Sequence, residues 1–160
     1  MPIFRVRGGP LVLPSEGVIT CRDDGYRIDT DPDRLDTVLI HHWLSTDAFW
    51  ALGRSRETVE QAIRASVNFG VYAADGSQTG YARVVTDLAT FAWLCDVYID
   101  RDHRGLGLGT WLAAAVRDHL APYTLKRVML STLDAHGVYA KVDFVPFPDP
   151  QKLMIMSFAP

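Results

Sequence analysis

Cysteine is scarce in this chain of 160 residues, which has only Cys21 and Cys95. The two lie far apart in the sequence and Cys95 falls in an apolar stretch, so we expect free thiols in a reducing cytosol rather than a disulfide. Long apolar runs are also missing, since residues 111–116 form the longest and are far too short to span a bilayer. Residues 1–7 lack the apolar core of a secretory signal, and we therefore expect a cytoplasmic protein without a membrane partner.

An excess of basic residues is missing as well. The chain has 16 Lys and Arg against 19 Asp and Glu, a net charge of −3, which argues against a general nucleic-acid-binding protein. The histidines, cysteines and acids show no metal-ligand spacing, so we expect no metal site. A length of 160 residues with 48% hydrophobic and 22% charged residues suits one globular domain.

The pattern of apolar residues predicts an α/β protein. Strands are predicted over residues 26–30, 69–74, 79–85, 90–99, 128–132 and 153–158. Helices are predicted over residues 31–44, 108–120 and 135–142, and a further helix is predicted to begin after Ser55, its N-cap. This order predicts a mixed sheet with helices on both faces. Residues 1–24 are predicted to be an N-terminal extension that packs on the domain or on a partner subunit, and residues 25–160 a single domain.

The most informative stretch is residues 94–110, which reads as a buried strand, a charged turn, three alternating glycines and a helix start. Gly105, Gly107 and Gly109 remove Cβ atoms where the backbone bends sharply or approaches a ligand closely. The first turn of the next helix offers unpaired N–H groups and a positive dipole end to an anion. With Arg104 at the entrance, the stretch is suited to a diphosphate.

Two other classes of phosphate-binding glycine loop are excluded by the residues at and after these glycines. A dinucleotide loop needs G-x-G-x-x-G, and its third glycine position is Thr110; a P-loop needs a lysine, and none follows these glycines. A glycine-rich turn with no ligand remains the alternative. The remaining pattern, Arg104-x-x-Gly107-x-Gly109, resembles the acetyl-CoA-binding signature of the N-acetyltransferase (GNAT) superfamily.

A second stretch, residues 134–144, resembles the short C-terminal helix of that superfamily, where an alanine precedes Tyr-x-Lys-x-Gly-Phe. Asp143 stands where the family usually has a glycine with positive φ, which aspartate tolerates better than most residues. Residues 45–54, 82–87 and 94–97 are similar to one set of bacterial GNAT proteins. The resemblance covers residues 25–158 and implies the GNAT fold, with a mixed, mostly antiparallel central sheet.

The resemblance also implies site residues. Backbone groups near Val97 and Ile99 would contact the pantetheine arm and the acetyl oxygen, and the N–H groups that follow Arg104 would hold the pyrophosphate. Tyr139 matches the family's tyrosine that protonates the leaving thiolate, the alternative being an aromatic packed on the sheet. The full set implied for the coenzyme is Val97, Tyr98, Ile99, Arg104, Gly105, Leu106, Gly107, Leu108, Gly109 and Thr110.

Asp96 is the most conspicuous carboxylate, because it interrupts an apolar strand and an unpaired buried charge there costs several kcal/mol. Its partner is either the ammonium of a substrate or a structural donor such as Arg83 or a histidine. It is therefore a candidate general base or ammonium anchor, with a purely structural role and a water as base kept as alternatives.

Residues 41–54 are dense in aromatic and polar groups, a mixture suited to a small-molecule pocket. Trp43, Phe49 and Trp50 are candidate walls of an acceptor pocket, and Arg54 is a candidate for binding a carboxylate. His136 either contacts the substrate or caps a short helix.

The resemblance implies an enzyme that transfers the acetyl group of acetyl-CoA to an amine by direct attack in a ternary complex, and the aromatic and polar residues at 41–54 favour the primary amine of a small molecule as acceptor. The alternatives are a protein or peptide N-acetyltransferase and a non-catalytic acyl-CoA-binding module. Family members often pair, so a homodimer is also expected. The acceptor itself is not specified by the sequence, since pocket specificity depends on side-chain placement in three dimensions.

Overall fold

In the part of the chain that the structure describes, a six-stranded sheet whose strand order follows the chain forms the centre of the fold. The computed structural model describes residues 17–158. The strands are β1 (Val18–Cys21), β2 (Arg27–Asp29), β3 (Val67–Tyr72), β4 (Gln78–Thr86), β5 (Phe91–Ile99) and β6 (Arg127–Met129). The helices are α1 (Thr37–Thr46), α2 (Arg56–Arg64), α3 (Leu108–Leu120) and α4 (His136–Ala140). Neighbouring strands pair antiparallel except β5 and β6, which are parallel, and this confirms the mixed, mostly antiparallel sheet.

Two hydrophobic cores lie on opposite faces of the sheet. On one face the apolar stripe of α3, including Leu112 and Val116, packs on strand residues such as Phe69 and Leu94. On the other face α1 and α2 cover Tyr81 and other residues in a second cluster. Helices therefore lie on both faces, as the sequence predicts, because alternating strand residues send apolar side chains to each side.

Helix bounds were predicted well for two helices and poorly for one. The predicted span of α3 is confirmed at both ends, and the hydroxyl oxygen of Ser55 accepts the N–H of Thr58 as the N-cap of α2. The predicted helix start at residue 31 is wrong. Asp31 caps only a 3₁₀ turn, Pro32–Arg34, the chain then becomes extended, and α1 begins at Thr37 with Asp36 as its N-cap.

The predicted closing strand over residues 153–158 is also wrong. After a 3₁₀ turn at Pro150–Lys152 these residues belong to no strand, and their side chains are exposed. Alternating apolar residues favour a strand, but a strand also needs a neighbouring backbone to pair with, and none is supplied within residues 17–158.

The sheet begins earlier than the predicted domain boundary at residue 25. Strand β1 lies in the segment predicted to be an extension, pairs with β2 and contacts α3. Residues 1–16, the rest of that extension, lie outside the described residues. No helix within the described part of the chain is long and apolar enough to cross a membrane.

Candidate active site

A gap opens in the sheet between β5 and β6. Their parallel pairing joins only residues 91–93 to residues 127–129, yet β5 continues to Ile99. In the part of the chain that the structure describes, residues 94–99 have no strand on that side. Backbone groups in such a gap must find other partners, so an extended ligand can pair there. The sequence-predicted residues Val97, Tyr98 and Ile99 all lie along this run.

A β-bulge distorts β5 beside the gap. Tyr81 pairs with Tyr98 and Arg83 with Cys95, so two residues of β5, Asp96 and Val97, oppose one residue of β4. Asp96 has a φ of 52°, in the left-handed region. Bulges re-aim side chains, and here Asp96 contacts residues of the segment that follows α1, while Val97 packs against the core on the α3 face.

Asp96 is 5% exposed and is surrounded by donors. One carboxylate oxygen accepts Nε of Arg83 and Nη1 of Arg54, each at 2.7 Å, and the other accepts Nε1 of Trp50 at 3.1 Å. Burial alone would raise the pKa of this carboxyl, but the hydrogen bonds and positive charges of Arg83 and Arg54 hold the pKa below its ordinary value. The carboxylate is therefore ionised at neutral pH and a weak proton acceptor.

The three aromatic residues predicted to line the acceptor pocket differ in burial. Trp43 is buried, stacks on Tyr98 with ring centroids 5.2 Å apart and donates Nε1 to Asp100. Phe49 and Trp50 lie at the surface with their rings edge to face, 5.0 Å apart. The structure thus places Trp43 in the core, Trp50 in contact with the buried Asp96, and Phe49 beside Trp50 at the surface.

The glycine loop has the geometry that a phosphate ligand needs. Gly105 and Gly107 have φ values of 79° and 76°, which glycine adopts without strain. Gly107 is the N-cap of α3, and no side chain of the described residues caps this helix. A Cβ at Gly105 or Gly107 would meet nothing within 4 Å in residues 17–158. The space beside these two glycines is therefore open among the described residues, and the first turn of α3 has unpaired N–H groups of the kind that bind an anion.

Arg104 is held at the entrance of this loop. Its Nε donates to the carbonyl of Ile99 at 2.9 Å, and its Nη2 donates to Asp47 at 3.2 Å. Asp47 also accepts the hydroxyl of Tyr98 at 2.6 Å and pairs with Arg101. Asp47 had no signal in the sequence, because its partners are more than fifty residues away.

Arg22 connects the first hairpin to the same loop. Its Nη1 donates to the carbonyl of Leu106 at 2.9 Å, and its guanidinium lies 5.6 Å from the ring of Trp111. Beside it, the hydroxyl of Tyr26 lies 2.6 Å from Nδ1 of His103. The sequence analysis missed both contacts, which join residues 84 positions apart for Arg22 and Leu106 and 77 positions apart for Tyr26 and His103.

Tyr139 lies on the α3 face, where it packs against the same core cluster as Val97, Ile99 and Trp111. Burial, and secondarily the charge of Asp134, raises the pKa of its phenol above the ordinary value of 10.0. The phenol therefore stays protonated at neutral pH and is able to donate.

Tyr139 and the exposed His136 line a cleft of about 1020 Å³ between β6 and the residues that follow α4. Within residues 17–158, no group of three or more His, Cys, Asp or Glu side chains is placed to hold a metal ion.

Comparisons with known proteins identify the family of the chain. Residues 37–144 match the family model described as acetyltransferase (GNAT) family. A protein of Gibberella zeae assigned to the acetyltransferases is 33% identical over 135 residues, covering 72% of this chain and 76% of the relative.

Solved structures of related proteins also indicate this family. A crystal structure from Xanthomonas campestris pv. campestris, assigned to the same family, has a TM-score of 0.78 and 42% identity, covering 83% of this chain and 93% of that one. The N-acetylglutamate synthase of Neisseria gonorrhoeae, solved with coenzyme A and N-acetyl-glutamate, shares the fold, with a TM-score of 0.60 and 18% identity. The match covers 75% of this chain and 28% of that one. The chain therefore belongs to the acetyltransferase (GNAT) family and is an N-acetyltransferase.

Proposed function

We propose that this enzyme transfers the acetyl group of acetyl-CoA to the primary amine of a small molecule, by direct attack in a ternary complex in the cytoplasm. The observation that carries the proposal is the run of β5 that has no partner strand on the β6 side among the described residues, followed after one 3₁₀ turn by the glycine loop. An extended pantetheine arm and a diphosphate need these two features in this order.

Acetyl-CoA supplies an activated acetyl thioester when it is bound. The main chain of Val97 and Ile99 would hold the pantetheine arm and the acetyl oxygen, and the N–H groups of residues 105–110 would hold the pyrophosphate. Of the predicted coenzyme residues, Tyr98 and Leu108 have buried side chains and would contribute only backbone groups. The synthase of Neisseria gonorrhoeae, which has the same fold and was solved with coenzyme A, supports this donor.

Tyr139 is the proposed proton donor to the leaving thiolate. Its raised phenol pKa keeps the proton on the oxygen at the working pH. Its packing against the cluster that also contains Val97 supports this role, because both residues lie on the same face of the sheet.

Asp96 is proposed to be a positioning residue and not the general base. Three donors already occupy its two oxygens, and its lowered pKa weakens it as a proton acceptor. Its carboxylate would instead fix Arg54 and Trp50 at the edge of the acceptor pocket. The substrate ammonium would lose a proton to water, and the neutral amine would then attack the thioester carbonyl. Phe49 and Trp50 would form the apolar wall, with His136 as a further acceptor contact.

The test is thiol release from acetyl-CoA over a panel of small primary amines and a panel of peptides, each compared with the Tyr139→Phe variant. We expect release with at least one small amine, strongly reduced in the variant. Release with peptides alone would contradict the small-molecule acceptor, and release with neither panel above the rate of hydrolysis would contradict the proposed acceptor class altogether.

A further inference from the structure

One carboxylate joins the acceptor side of the molecule to the coenzyme loop. Asp47 ends α1 as its C-cap residue and begins residues 47–54, here called the acceptor segment because it carries most of the proposed acceptor contacts. Its Oδ2 accepts the hydroxyl of Tyr98 at 2.6 Å and Nη2 of Arg104 at 3.2 Å, and its Oδ1 pairs with Arg101. The two arginines begin and follow the 3₁₀ turn that precedes the glycine loop. Asp47 therefore ties the acceptor segment to this loop.

The position of this carboxylate is unfavourable for the helix that it ends. The C-terminus of a helix carries a partial negative charge, so an anionic side chain there is destabilising and a cationic one is preferred. The side chain of Asp47 is also 16% exposed, so it is mostly removed from water, whereas Arg104 is 49% exposed. The negative charge at this helix end therefore depends on its two arginine partners.

Arg104 is the partner that adjoins the glycine loop. Its Nε donates to the carbonyl of Ile99 at 2.9 Å, and its guanidinium lies 5.2 Å from the ring of Tyr98, so it is held on the same side of β5 as Asp47. A coenzyme diphosphate beside α3 is anionic and binds a guanidinium in the way that a carboxylate does. The diphosphate and Asp47 are therefore competing partners for Arg104, and Arg101 can stay paired with Asp47 when Arg104 turns away.

We propose that Asp47 is a positioning residue that competes with the coenzyme diphosphate for Arg104 and so couples coenzyme binding to the acceptor segment. In the free enzyme, Asp47 holds the guanidinium beside Tyr98. Coenzyme binding transfers the guanidinium to the diphosphate, which removes one of the bonds that fix the start of the acceptor segment. The inference rests on the proposed function, because it needs the coenzyme diphosphate at the glycine loop.

The experiment is titration calorimetry with coenzyme A alone on the full chain and on three variants. Asparagine at position 47 still accepts the hydroxyl of Tyr98 but has no charge, so Asp47→Asn should bind coenzyme A about fivefold more tightly than the wild type. Asp47→Glu keeps the charge and should bind like the wild type. Asp102→Asn is the matched control and should also bind like the wild type, since Asp102 lies in the same 3₁₀ turn but its exposed carboxylate has no hydrogen bond or ion pair among the described residues.

Ionic strength and hydrogen exchange distinguish competition from a purely structural role. A purely structural Asp47 would give weaker coenzyme binding when it is replaced, whereas a competitor gives tighter binding. The gain in Asp47→Asn should shrink at high ionic strength, because salt screens exposed charges. Coenzyme A should speed hydrogen exchange of the amides of residues 47–54 in the wild type. It should leave their exchange unchanged in Asp47→Asn, where the ion pair with Arg104 is already absent.

Four results would overturn the inference and leave the proposed function intact. These are equal or weaker binding of coenzyme A by Asp47→Asn, the same gain in Asp47→Glu, the same gain in Asp102→Asn, and exchange of residues 47–54 that coenzyme A does not speed in the wild type. Absence of coenzyme A binding to the wild type would overturn the proposed function, and this inference with it.

Discussion

The Nε of Arg83 donates to Oδ2 of Asp96 at 2.7 Å, and this bond joins β4 and β5 at the bulge beside the gap. Arg54 shares the same oxygen, so one buried carboxylate balances two guanidinium groups that are themselves mostly buried. Removing the carboxylate would leave both positive charges inside the protein without a partner, which is a large penalty.

We therefore expect Asp96→Asn to lower the free energy of unfolding by about 3 kcal/mol, because breaking a buried ion pair leaves an uncompensated charge. The measurement is urea denaturation followed by circular dichroism. Asp23→Asn, in the exposed turn after β1, is the control and should change stability little. An equal stability of the Asp96→Asn and Asp23→Asn variants would contradict the buried-pair account.

The lowered pKa of Asp96 sets the sign of its pH dependence. Because the folded-state pKa lies below the unfolded value near 3.8, the stabilisation is complete above that value and is lost as the pH falls through the folded-state pKa. The stability difference between wild type and Asp96→Asn should be constant over roughly pH 5 to 8 and shrink in acid. A difference that already declines at neutral pH would show that Asp96 titrates there.

Tyr139→Phe should lower kcat by about 100-fold, since general-acid groups contribute at least that much, and leave the KM for acetyl-CoA unchanged. Because burial raises the phenol pKa above its ordinary value, loss of activity from its ionisation should occur at a higher pH than for an ordinary phenol. Steady-state kinetics across pH measure both quantities. Tyr72→Phe, which removes a hydroxyl on β3 that donates to Arg34, is the control and should keep kcat.

Arg22→Ala should raise the KM for acetyl-CoA about tenfold, because the loop carbonyl of Leu106 loses a charged donor worth about 1.4 kcal/mol. Arg22→Lys should restore only part of this, since lysine lacks the planar group that stacks on Trp111. Arg64→Ala, at the exposed end of α2, is the control. If Arg22→Ala and Arg64→Ala gave the same KM, Arg22 would have no part in positioning the loop.

Local features of the fold were predictable from the sequence. The bounds of α3 follow from its apolar stripe and the preceding glycines, and the capping by Ser55 follows from its hydroxyl. The positive φ expected at Asp143 is confirmed at 73°, and Arg117 donates to its carboxylate at 3.0 Å. The helix bounds, the Ser55 cap and the positive φ each depend on a few neighbouring residues, whereas the bond from Arg117 spans 26 positions.

Features that depend on distant residues were not predictable in the same way. Arg83 was one of the donors suggested for Asp96, but Arg54 and Trp50 reach it from 42 and 46 residues away. The contact of Arg22 with the glycine loop had no local signal either. The predicted strand over residues 153–158 failed because its apolar pattern does not specify which backbone it pairs with.

The glycine loop gives a matched pair of variants. Gly107 and Gly76 both have positive φ, 76° and 89°, and an added Cβ at either meets nothing within 4 Å among the described residues. Gly107→Ala and Gly76→Ala should therefore each lose about 1 to 2 kcal/mol of stability from backbone strain. Only Gly107→Ala should weaken coenzyme binding, because Gly76 lies in the turn between β3 and β4 and is not part of the loop that precedes α3.

Isothermal titration calorimetry with acetyl-CoA and with coenzyme A tests the central claim, that the N–H groups after Arg104 hold the coenzyme diphosphate. The account predicts saturable binding of both ligands at one site per chain, unchanged by Gly76→Ala and weakened by Gly107→Ala. Absence of binding to the wild type, or equal affinities of the two variants, would contradict it.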